Sequence, residues 1–300
     1  MRYGGHQTFP IREGWLSKAL SQLNTDPTVF ARGCAADSLG VGSNMANSIE
    51  HWIVATGLAE KLPRVETTRH KIKYRLTWLG ELIWKFDRYF TLDETWWLLH
   101  INLINTSEHA ATWNWFFNYF PDRRFDKVHF VSRLKTWEKQ QQLRSPADNT
   151  IERDANCFLS TYARSVPKDS KDPEEDYGCP FQELRLMSFL RSSGSYEVHR
   201  HGRNLRPEVL LYSILRCSGD PETERFDISF SQLSKNESGP LQAFVLGTED
   251  LFESILHLES TAKDDYRFSI RGLAGDRQIS FQNPGAADLL RSMYARVVEE

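Results

Sequence analysis

The sequence predicts a mainly α-helical protein with small β-hairpins, built from three parts. Residues 32–75 show the order helix, turn, helix and basic hairpin, and residues 89–166 hold apolar and aromatic residues at helical spacing. A charged, proline-containing break then precedes a final helix, hairpin and helix. We therefore predict a winged helix-turn-helix over residues 1–88, a helical bundle over 89–166 and an α+β winged-helix-like module over 177–300.

The first part contains two short helices joined by a glycine turn. The run RGCAADSLGVG ends in a turn at Gly40 to Gly42, where glycine tolerates positive φ, and SNMANSIEHWIVATG follows with apolar residues at helical spacing. Strand-like runs at 58–62 and 71–76 flank a loop rich in Arg, Lys and Thr. This order is typical of a winged helix-turn-helix.

The second helix and the hairpin are the predicted DNA contacts. Asparagine amides match the donor and acceptor pair on an adenine edge, and a basic hairpin can bind phosphates. We expect contacts from Ser43, Asn44, Asn47, Ser48 and His51 on the helix and from Arg64, Arg69, Lys71, Lys73 and Arg75 in the hairpin. The alternative is that the module binds protein or serves only as a scaffold.

A polar N-terminal arm precedes the first long helix. Pro10 favours a helix start just after it, and His6, Arg12 and Lys18 crowd around that start. A helix N-terminus with basic side chains nearby can bind an anion, so these three residues join the predicted DNA surface. The alternative is that His6 forms a hydrogen bond in a tucked-in arm and that Arg12 pairs with a neighbouring acid.

Composition limits the classes of function. The net charge is -3, so any nucleic-acid surface must be local. The four cysteines lack CxxC spacing, which favours free thiols in a reducing compartment, and no apolar run or signal-peptide pattern points to a membrane. The absence of a GxxxxGK loop argues against an ATPase.

The central part is predicted to bury its aromatic residues between helices. Thr77 is expected to cap the helix after the hairpin, and Thr91 and Glu94 to form a capping box for the next one. His100 lies within that next helix, where we expect a buried histidine with satisfied hydrogen bonds. The last helix of the bundle is expected to run through Arg164.

The C-terminal part offers one candidate metal site. In SYEVHRHGR, alternation places Glu197, His199 and His201 on one face of a strand, where they could bind a divalent metal or supply a general base. Such triplets also arise by chance on polar sheet faces. The rest of this part is predicted to contain helices around a hairpin that turns near Gly275.

No catalytic constellation is assignable from the residues. The chain lacks a trustworthy metal-nuclease pattern after paired strands. Tyr3 and Tyr89 could act as nucleophiles in principle, but no histidine pair with metal-ligand spacing accompanies either. The catalytic residues of any nuclease activity therefore stay unassigned.

Three segments carry a resemblance to a known family. GGHQTFPIREGWLSKAL, LGVGSNMANSIEHWIVATGLAE and YRLTWLGELIWKFDRYFTLDETWWLLHINLI resemble the opening of DUF4007 proteins, and weaker similarity continues to the C-terminus. SspB-type members of this family belong to bacterial DNA phosphorothioate modification and anti-phage defence systems. The resemblance implies a cytoplasmic bacterial protein that binds DNA and acts as a nickase, an endonuclease that opens one strand for sulfur insertion.

The resemblance also implies partners. These are double-stranded DNA, a cysteine desulfurase, an ATPase and an ATP-pyrophosphatase-like sulfur enzyme. A nickase is expected to use a divalent metal, magnesium or manganese, because cleavage of a phosphodiester usually needs one. Two alternatives stay open: a winged-helix adaptor that does no chemistry, and a transcription regulator.

Overall fold

Helices form most of the protein, as the apolar spacing predicts, and short strands join them. The computed structural model describes residues 3–31, 35–63, 72–141, 147–166, 178–218, 223–273 and 275–299. The chain divides into a first unit, Met1–His199, and a second unit, Arg200–Glu300. This division differs from the predicted three parts, because residues 178–199 supply strands to a sheet of the first unit instead of opening the C-terminal part.

The first unit begins with the predicted order of helices and hairpin. Its helices are α1 (Trp15–Thr25), α2 (Ala35–Leu39), α3 (Ser43–Ala55), α4 (Trp78–Phe86), α5 (Asp93–Ile104), α6 (Ala111–Tyr119), α7 (Lys127–Gln140) and α8 (Asp148–Tyr162). Its strands are β1 (Ala59–Lys61), β2 (Tyr74–Leu76), β3 (Arg124–Phe125), β4 (Ala163–Val166), β5 (Met187–Leu190) and β6 (Ser195–Val198). Two 3-10 turns lie at Val29–Ala31 and Pro180–Leu184.

The hairpin β1–β2 packs closely on the start of α4. Glu60 stands opposite Arg75 in an antiparallel register. Thr77 Oγ1 accepts the Gly80 N–H at 3.1 Å, so Thr77 caps α4 as predicted. A Cβ at Gly80 would lie 2.1 Å from the carbonyl oxygen of Leu58, so only glycine permits this close approach.

Aromatic side chains fill the space between α5 and α8. Phe158 is fully buried, with its ring centroid 5.5 Å from that of Trp113 and 4.6 Å from that of Phe116. His100 Nδ1 lies 2.8 Å from the Tyr162 hydroxyl, and both side chains are fully buried. The prediction of a core histidine with satisfied hydrogen bonds is confirmed.

The start of α5 differs from the prediction. Asp87 is buried, and it accepts the Thr91 N–H at 2.8 Å and the Thr91 hydroxyl at 3.0 Å. Leu92 occupies the N-cap position without a side-chain cap, so the predicted capping box of Thr91 and Glu94 does not form. A carboxylate is a strong acceptor, so Asp87 holds Thr91 in this different arrangement.

A four-stranded sheet with the order β3-β6-β5-β4 closes the first unit. β3 and β5 run antiparallel to β6, and β4 runs parallel to β5 with Ala163 opposite Met187. The predicted last bundle helix, α8, therefore stops at Tyr162 and does not continue through Arg164. Backbone hydrogen bonds to β5 replace the helical ones, and that partner strand is distant in sequence.

The second unit surrounds a three-stranded antiparallel sheet with helices. Its helices are α9 (Pro207–Ser218), α10 (Phe230–Leu233), α11 (Pro240–Ala243), α12 (Thr248–Thr261), α13 (Lys263–Tyr266) and α14 (Ala286–Glu299). Its strands are β7 (Arg225–Ser229), β8 (Ser269–Leu273) and β9 (Asp276–Gln282), in the order β7-β9-β8. The hairpin β8–β9 turns near Gly275, as predicted.

An ion pair with a buried carboxylate joins two helices of the second unit. Glu208 of α9 is buried, and its carboxylate accepts hydrogen bonds from Arg296 of α14 and from the Tyr266 hydroxyl. These partners offset the cost of burying the charge. None of the described helices in either unit combines the length and apolar character that a bilayer crossing requires.

Candidate nucleic-acid interface

The N-terminal end of α3 presents polar side chains to solvent. Ser43, Asn44 and Asn47 are exposed, as the predicted DNA contacts require. Ser48 and His51 are buried, which corrects their assignment to the same solvent-facing side. The exposed part of the helix is therefore its first turn and the beginning of its second.

The N-terminal arm, residues 3–9, explains why the middle of α3 is covered. The Ser48 hydroxyl donates a hydrogen bond of 3.2 Å to the carbonyl oxygen of Phe9, and the Trp52 Nε1–H donates one of 2.9 Å to the same oxygen. His6 stacks on Trp52 with ring centroids 6.0 Å apart and meets His51 edge-on at 5.9 Å. Helical spacing within α3 does not reveal this cover, because the arm is remote from α3 in sequence.

His6 anchors the arm instead of facing solvent. Its side chain is buried, and its Nε2 lies 2.7 Å from Asp154 Oδ1 on α8. The Thr8 N–H donates to His6 Nδ1 at 3.1 Å, so Nδ1 must accept and Nε2 must carry the proton that Asp154 accepts. Asp154 also accepts the Gly4 N–H at 2.6 Å and the Thr112 hydroxyl at 2.7 Å. This geometry matches the tucked-in arm, the alternative interpretation of His6.

Acidic side chains partly neutralise the cations beside α3. Lys61 Nζ lies 3.0 Å from Glu50 Oε1, and the Arg75 Nε–H donates to Glu60 Oε1 at 3.0 Å. Lys73 is exposed. The other predicted hairpin contacts, which are Arg64, Arg69 and Lys71, lie outside the residues that the structure describes.

Arg12 and Lys18 are exposed near the start of α1, as predicted. The guanidinium carbon of Arg12 lies 5.7 Å from the ring centroids of Phe9 and Trp15, an arrangement that favours a cation–π interaction. Within the described part of the chain, Arg12 has no carboxylate partner, so the alternative of an acid pair is not the arrangement found. Its positive charge is therefore available to an anion.

The three residues of the candidate metal site do not assemble. His199 Nε2 lies 2.9 Å from the Ser188 hydroxyl, and His201 Nδ1 lies 2.9 Å from the Gly202 carbonyl oxygen. Glu197 stands opposite Ser188 in the sheet. Among the described residues, no group of three or more His, Cys, Asp or Glu side chains could hold a metal. The alternation of Glu197, His199 and His201 in the sequence therefore reflects the polar end of a strand and not a set of metal ligands.

The two tyrosines considered as nucleophiles lie in different surroundings. The Tyr3 hydroxyl donates to the buried carboxylate of Glu138, and burial is the main cause that raises the pKa of Tyr3 far above its ordinary value. Tyr3 is therefore a poor nucleophile. Tyr89 is 73% exposed, and it lines a cavity of about 610 Å³. Arg164 and Arg191 line this cavity as well, and no local signal in the sequence connects them with Tyr89.

Comparisons with known proteins agree with this architecture. The model of the family described as "Protein of unknown function (DUF4007)" matches residues 3–294. No curated protein matches the chain. Two crystal structures of SspB, one of them bound to magnesium ion, have a TM-score of 0.85 at 24% sequence identity, covering 99% of this chain and 89% of theirs. The fold of the chain is thus that of SspB, and the family match over nearly its whole length shows that the chain belongs to the DUF4007 family.

Proposed function

We propose that this protein is a DNA-binding component of a bacterial DNA phosphorothioation and anti-phage defence system. In this proposal α2 and α3 are the helix-turn-helix, the hairpin β1–β2 is the wing, and the complete first unit presents them to a DNA duplex. The observation that carries the proposal is the exposed polar end of α3, with Ser43, Asn44 and Asn47. The N-terminal residues of a recognition helix are the ones that reach base edges in the major groove.

The physical chemistry of this surface suits a duplex. An asparagine amide can donate to and accept from one adenine edge, which gives sequence preference. Lys73 and the basic residues of the wing would contact phosphates, which give affinity that falls with salt. Because Glu50 and Glu60 neutralise two of the nearby cations, we expect moderate affinity and a shallow dependence on salt.

The link to phosphorothioation rests on the family and on the fold shared with SspB. The partners in this proposal are a cysteine desulfurase, an ATPase and an ATP-pyrophosphatase-like sulfur enzyme. Pull-down of these enzymes by the purified chain would test that part. Capture of none of them, with duplex binding intact, would leave a DNA-binding protein outside such a system.

A more specific hypothesis is that the protein nicks one strand of the DNA that it binds. One of the SspB structures holds a magnesium ion, and a nick needs charge stabilisation at the phosphate. The described residues of this chain do not fit a metal site made of protein ligands alone, since they contain no cluster of three or more suitable side chains. We therefore derive no cleavage step and assign no catalytic residue.

Duplex binding is tested by fluorescence anisotropy with a labelled double-stranded oligonucleotide at low and moderate salt. We expect the double variant Asn44→Ala/Asn47→Ala to weaken binding about tenfold or more, since each well-placed base contact contributes roughly 1–3 kcal/mol. The matched control is Asn24→Ala/Asn149→Ala, because both of these asparagines are also exposed on helices of the first unit. Equal binding by the two double variants would remove the assignment of α3.

Nicking is tested separately, with supercoiled plasmid and magnesium or manganese. Conversion to the relaxed form by the pure protein, abolished by a chelator, would support the nickase. Duplex binding without relaxation under either metal would favour the adaptor. Tight binding to a single palindromic sequence would favour the transcription regulator.

A further inference from the structure

One cavity of the first unit contains no residue of α3 or of the hairpin β1–β2, although Arg12 of the predicted DNA surface lines it. It has a volume of about 610 Å³, within the range of roughly 300–1,000 Å³ that accommodates small ligands. Its walls come from the start of α1, the loop before α5, the strand β4, the 3-10 turn Pro180–Leu184 and the turn after β5. Five stretches of the chain therefore build one concave surface.

Three arginines line this cavity: Arg12, Arg164 and Arg191. Arg191 is held in place by a hydrogen bond of 2.7 Å from its Nε–H to the Ser165 hydroxyl, which leaves the outer edge of the guanidinium for other acceptors. In the described ranges of the chain, neither Arg12 nor Arg191 has a carboxylate partner. Two cations of the cavity therefore lack a carboxylate counterion among the described residues.

The N-terminus of α1 adds to this positive potential. Gly14 occupies the N-cap with a φ of 75°, a conformation that favours glycine, and no side chain caps the helix. Gly14, Leu16 and Ser17 line the cavity, and the first turn of α1 contains no acidic residue. The partial positive charge of a helix N-terminus stabilises an anion placed there.

Three acidic residues, Glu13, Asp93 and Glu183, also line the cavity, and other groups already stabilise the negative charge of two of them. Glu183 lies 3.8 Å from Arg164. Asp93 belongs to the first turn of α5, where the helix dipole stabilises its charge. Among the residues that the structure describes at this cavity, only the exposed Glu13 then opposes Arg12 and Arg191. With one opposing carboxylate, the positive charges of Arg12 and Arg191 can still bind an anionic ligand.

An exposed aromatic ring gives the cavity a second chemistry. Tyr89 is 73% exposed, the largest exposed fraction among the aromatic residues described as exposed. The neighbouring residue Phe90 has a φ of 58°, and its carbonyl oxygen accepts a hydrogen bond of 3.0 Å from the buried Trp96 indole. This hydrogen bond holds in place the backbone next to Tyr89. A ring held at the edge of a cavity that contains arginine side chains is suited to stack on a nucleobase.

We infer that this cavity binds a nucleotide, with its phosphate between Arg12 and Arg191 at the N-terminus of α1 and its base on Tyr89. The nucleotide is either one unit of a single DNA strand or a free nucleoside monophosphate, since both offer the same phosphate and base. This inference goes beyond the duplex surface of α3 and does not depend on it.

The test measures binding of a fluorescein-labelled single-stranded thymidine decanucleotide to the full chain by anisotropy. The variants are Tyr89→Ala, Arg191→Gln and Arg12→Gln, with Tyr89→Phe as the conservative variant. The matched control is Arg133→Gln, because Arg133 is exposed on α7 and does not line the cavity. Circular dichroism and thermal unfolding verify that each variant is folded.

We expect Tyr89→Ala to lose roughly fivefold to 150-fold in affinity, as stacking on one base contributes about 1–3 kcal/mol. Tyr89→Phe should restore most of the binding, because a phenyl ring also stacks. Arg12→Gln and Arg191→Gln should each lose about fivefold or more, and the control should stay within about twofold.

Competition identifies the source of the nucleotide. Displacement of the labelled strand by thymidine 5′-monophosphate supports a free nucleotide, and persistence of the labelled complex supports a unit of the strand. Displacement by inorganic phosphate as efficient as that by the monophosphate would overturn the nucleotide and leave an anion site. Absence of strand binding, or equal binding by all variants, would also overturn the inference.

Duplex binding by the same variants separates this inference from the proposed function. If the cavity variants bind duplex normally and lose the single strand, the two sites are independent. If Asn44→Ala/Asn47→Ala loses duplex binding and keeps single-strand binding, the cavity binds the single strand without help from α3.

Discussion

Asp154 Oδ1 lies 2.7 Å from His6 Nε2, although 148 positions separate the two residues in sequence, and both side chains are only 2% exposed. The same carboxylate accepts the Gly4 N–H and the Thr112 hydroxyl. One buried group therefore connects the N-terminal arm with α6 and α8.

We predict that Asp154→Ala lowers the free energy of unfolding by about 3–5 kcal/mol, because three donors, two of them on buried side chains, would lose their acceptor. Urea denaturation followed by tryptophan fluorescence measures the change. The control is Asp148→Ala on the same helix, whose carboxylate is 80% exposed and lies 3.2 Å from Lys135 Nζ. We expect this exposed pair to contribute less than about 1 kcal/mol. Similar losses for both variants would contradict the anchoring role.

The ion pair between Glu60 and Arg75 gives a prediction about the wing. Glu60→Gln removes the carboxylate that neutralises Arg75, so we expect duplex affinity to rise about twofold to fivefold at low salt. Anisotropy titrations with the duplex measure the effect. Glu81→Gln removes an exposed carboxylate from α4 and should change affinity less. A wing that stays away from DNA would show no difference between the two variants.

Burial protects two thiols of the first unit from alkylation. Burial raises the pKa of Cys179 to about 12 and holds the pKa of Cys157 well above its ordinary value. We expect iodoacetamide at about pH 8.5 to modify both slowly in the folded protein and rapidly in guanidinium, since the thiolate is the reactive form. Peptide mass spectrometry identifies the modified positions. Fast modification of either thiol without denaturant would contradict the packing described.

The raised pKa of Cys179 determines the direction in which stability changes with pH. Cys179 titrates near its ordinary pKa of about 8.5 in the unfolded chain and near 12 in the folded one. The unfolded chain therefore binds fewer protons between these values, and the contribution of Cys179 to stability falls as pH rises through that window. Below about pH 8 the contribution is fully present. Denaturation of Cys179→Ala should show a shallower loss on the alkaline side.

The close approach of α4 to the hairpin gives a stability prediction. Gly80→Ala would place a Cβ 2.1 Å from the Leu58 carbonyl oxygen, and that oxygen also accepts the Thr77 N–H at 3.0 Å. We expect a loss of about 1–3 kcal/mol or more, seen as a lower Tm, because backbone must shift. Gly272→Ala is the control, since nothing lies within 4 Å of its Cβ position. Equal Tm values would show that the contact relaxes without cost.

Local spacing predicted the helices and the main hairpins because those elements are defined by residues close in sequence. The end of α8 was predicted wrongly, since Ala163 to Val166 pair with β5, and a strand set by a distant partner leaves little trace in its own composition. The capping box of Thr91 was predicted wrongly for a different reason, since Asp87, only four residues away, accepts hydrogen bonds from Thr91.

The candidate interface was predicted in part. Asn44, Asn47, Ser48 and His51 follow helical spacing, so the sequence indicates that they share one side of α3. It does not indicate that the N-terminal arm covers the half that contains Ser48 and His51. Nor does any short motif bring Arg164 and Arg191 to Tyr89, because the fold alone assembles the cavity. Chemistry that depends on such assembly is visible only in three dimensions.

The anchoring of the arm on α8 has a consequence for synthesis on the ribosome. Trp52 is fully buried between His6 and Trp113, and the carboxylate that holds His6 lies in α8. A nascent chain that has emerged only as far as α4 lacks both Trp113 and Asp154, so its arm can reach Ser48 and Trp52 but not its anchor on α8, and Trp52 keeps contact with water. We therefore expect full packing of the N-terminal helices only after translation has passed α8, and a truncated product ending near residue 88 would be a target for chaperones or proteases.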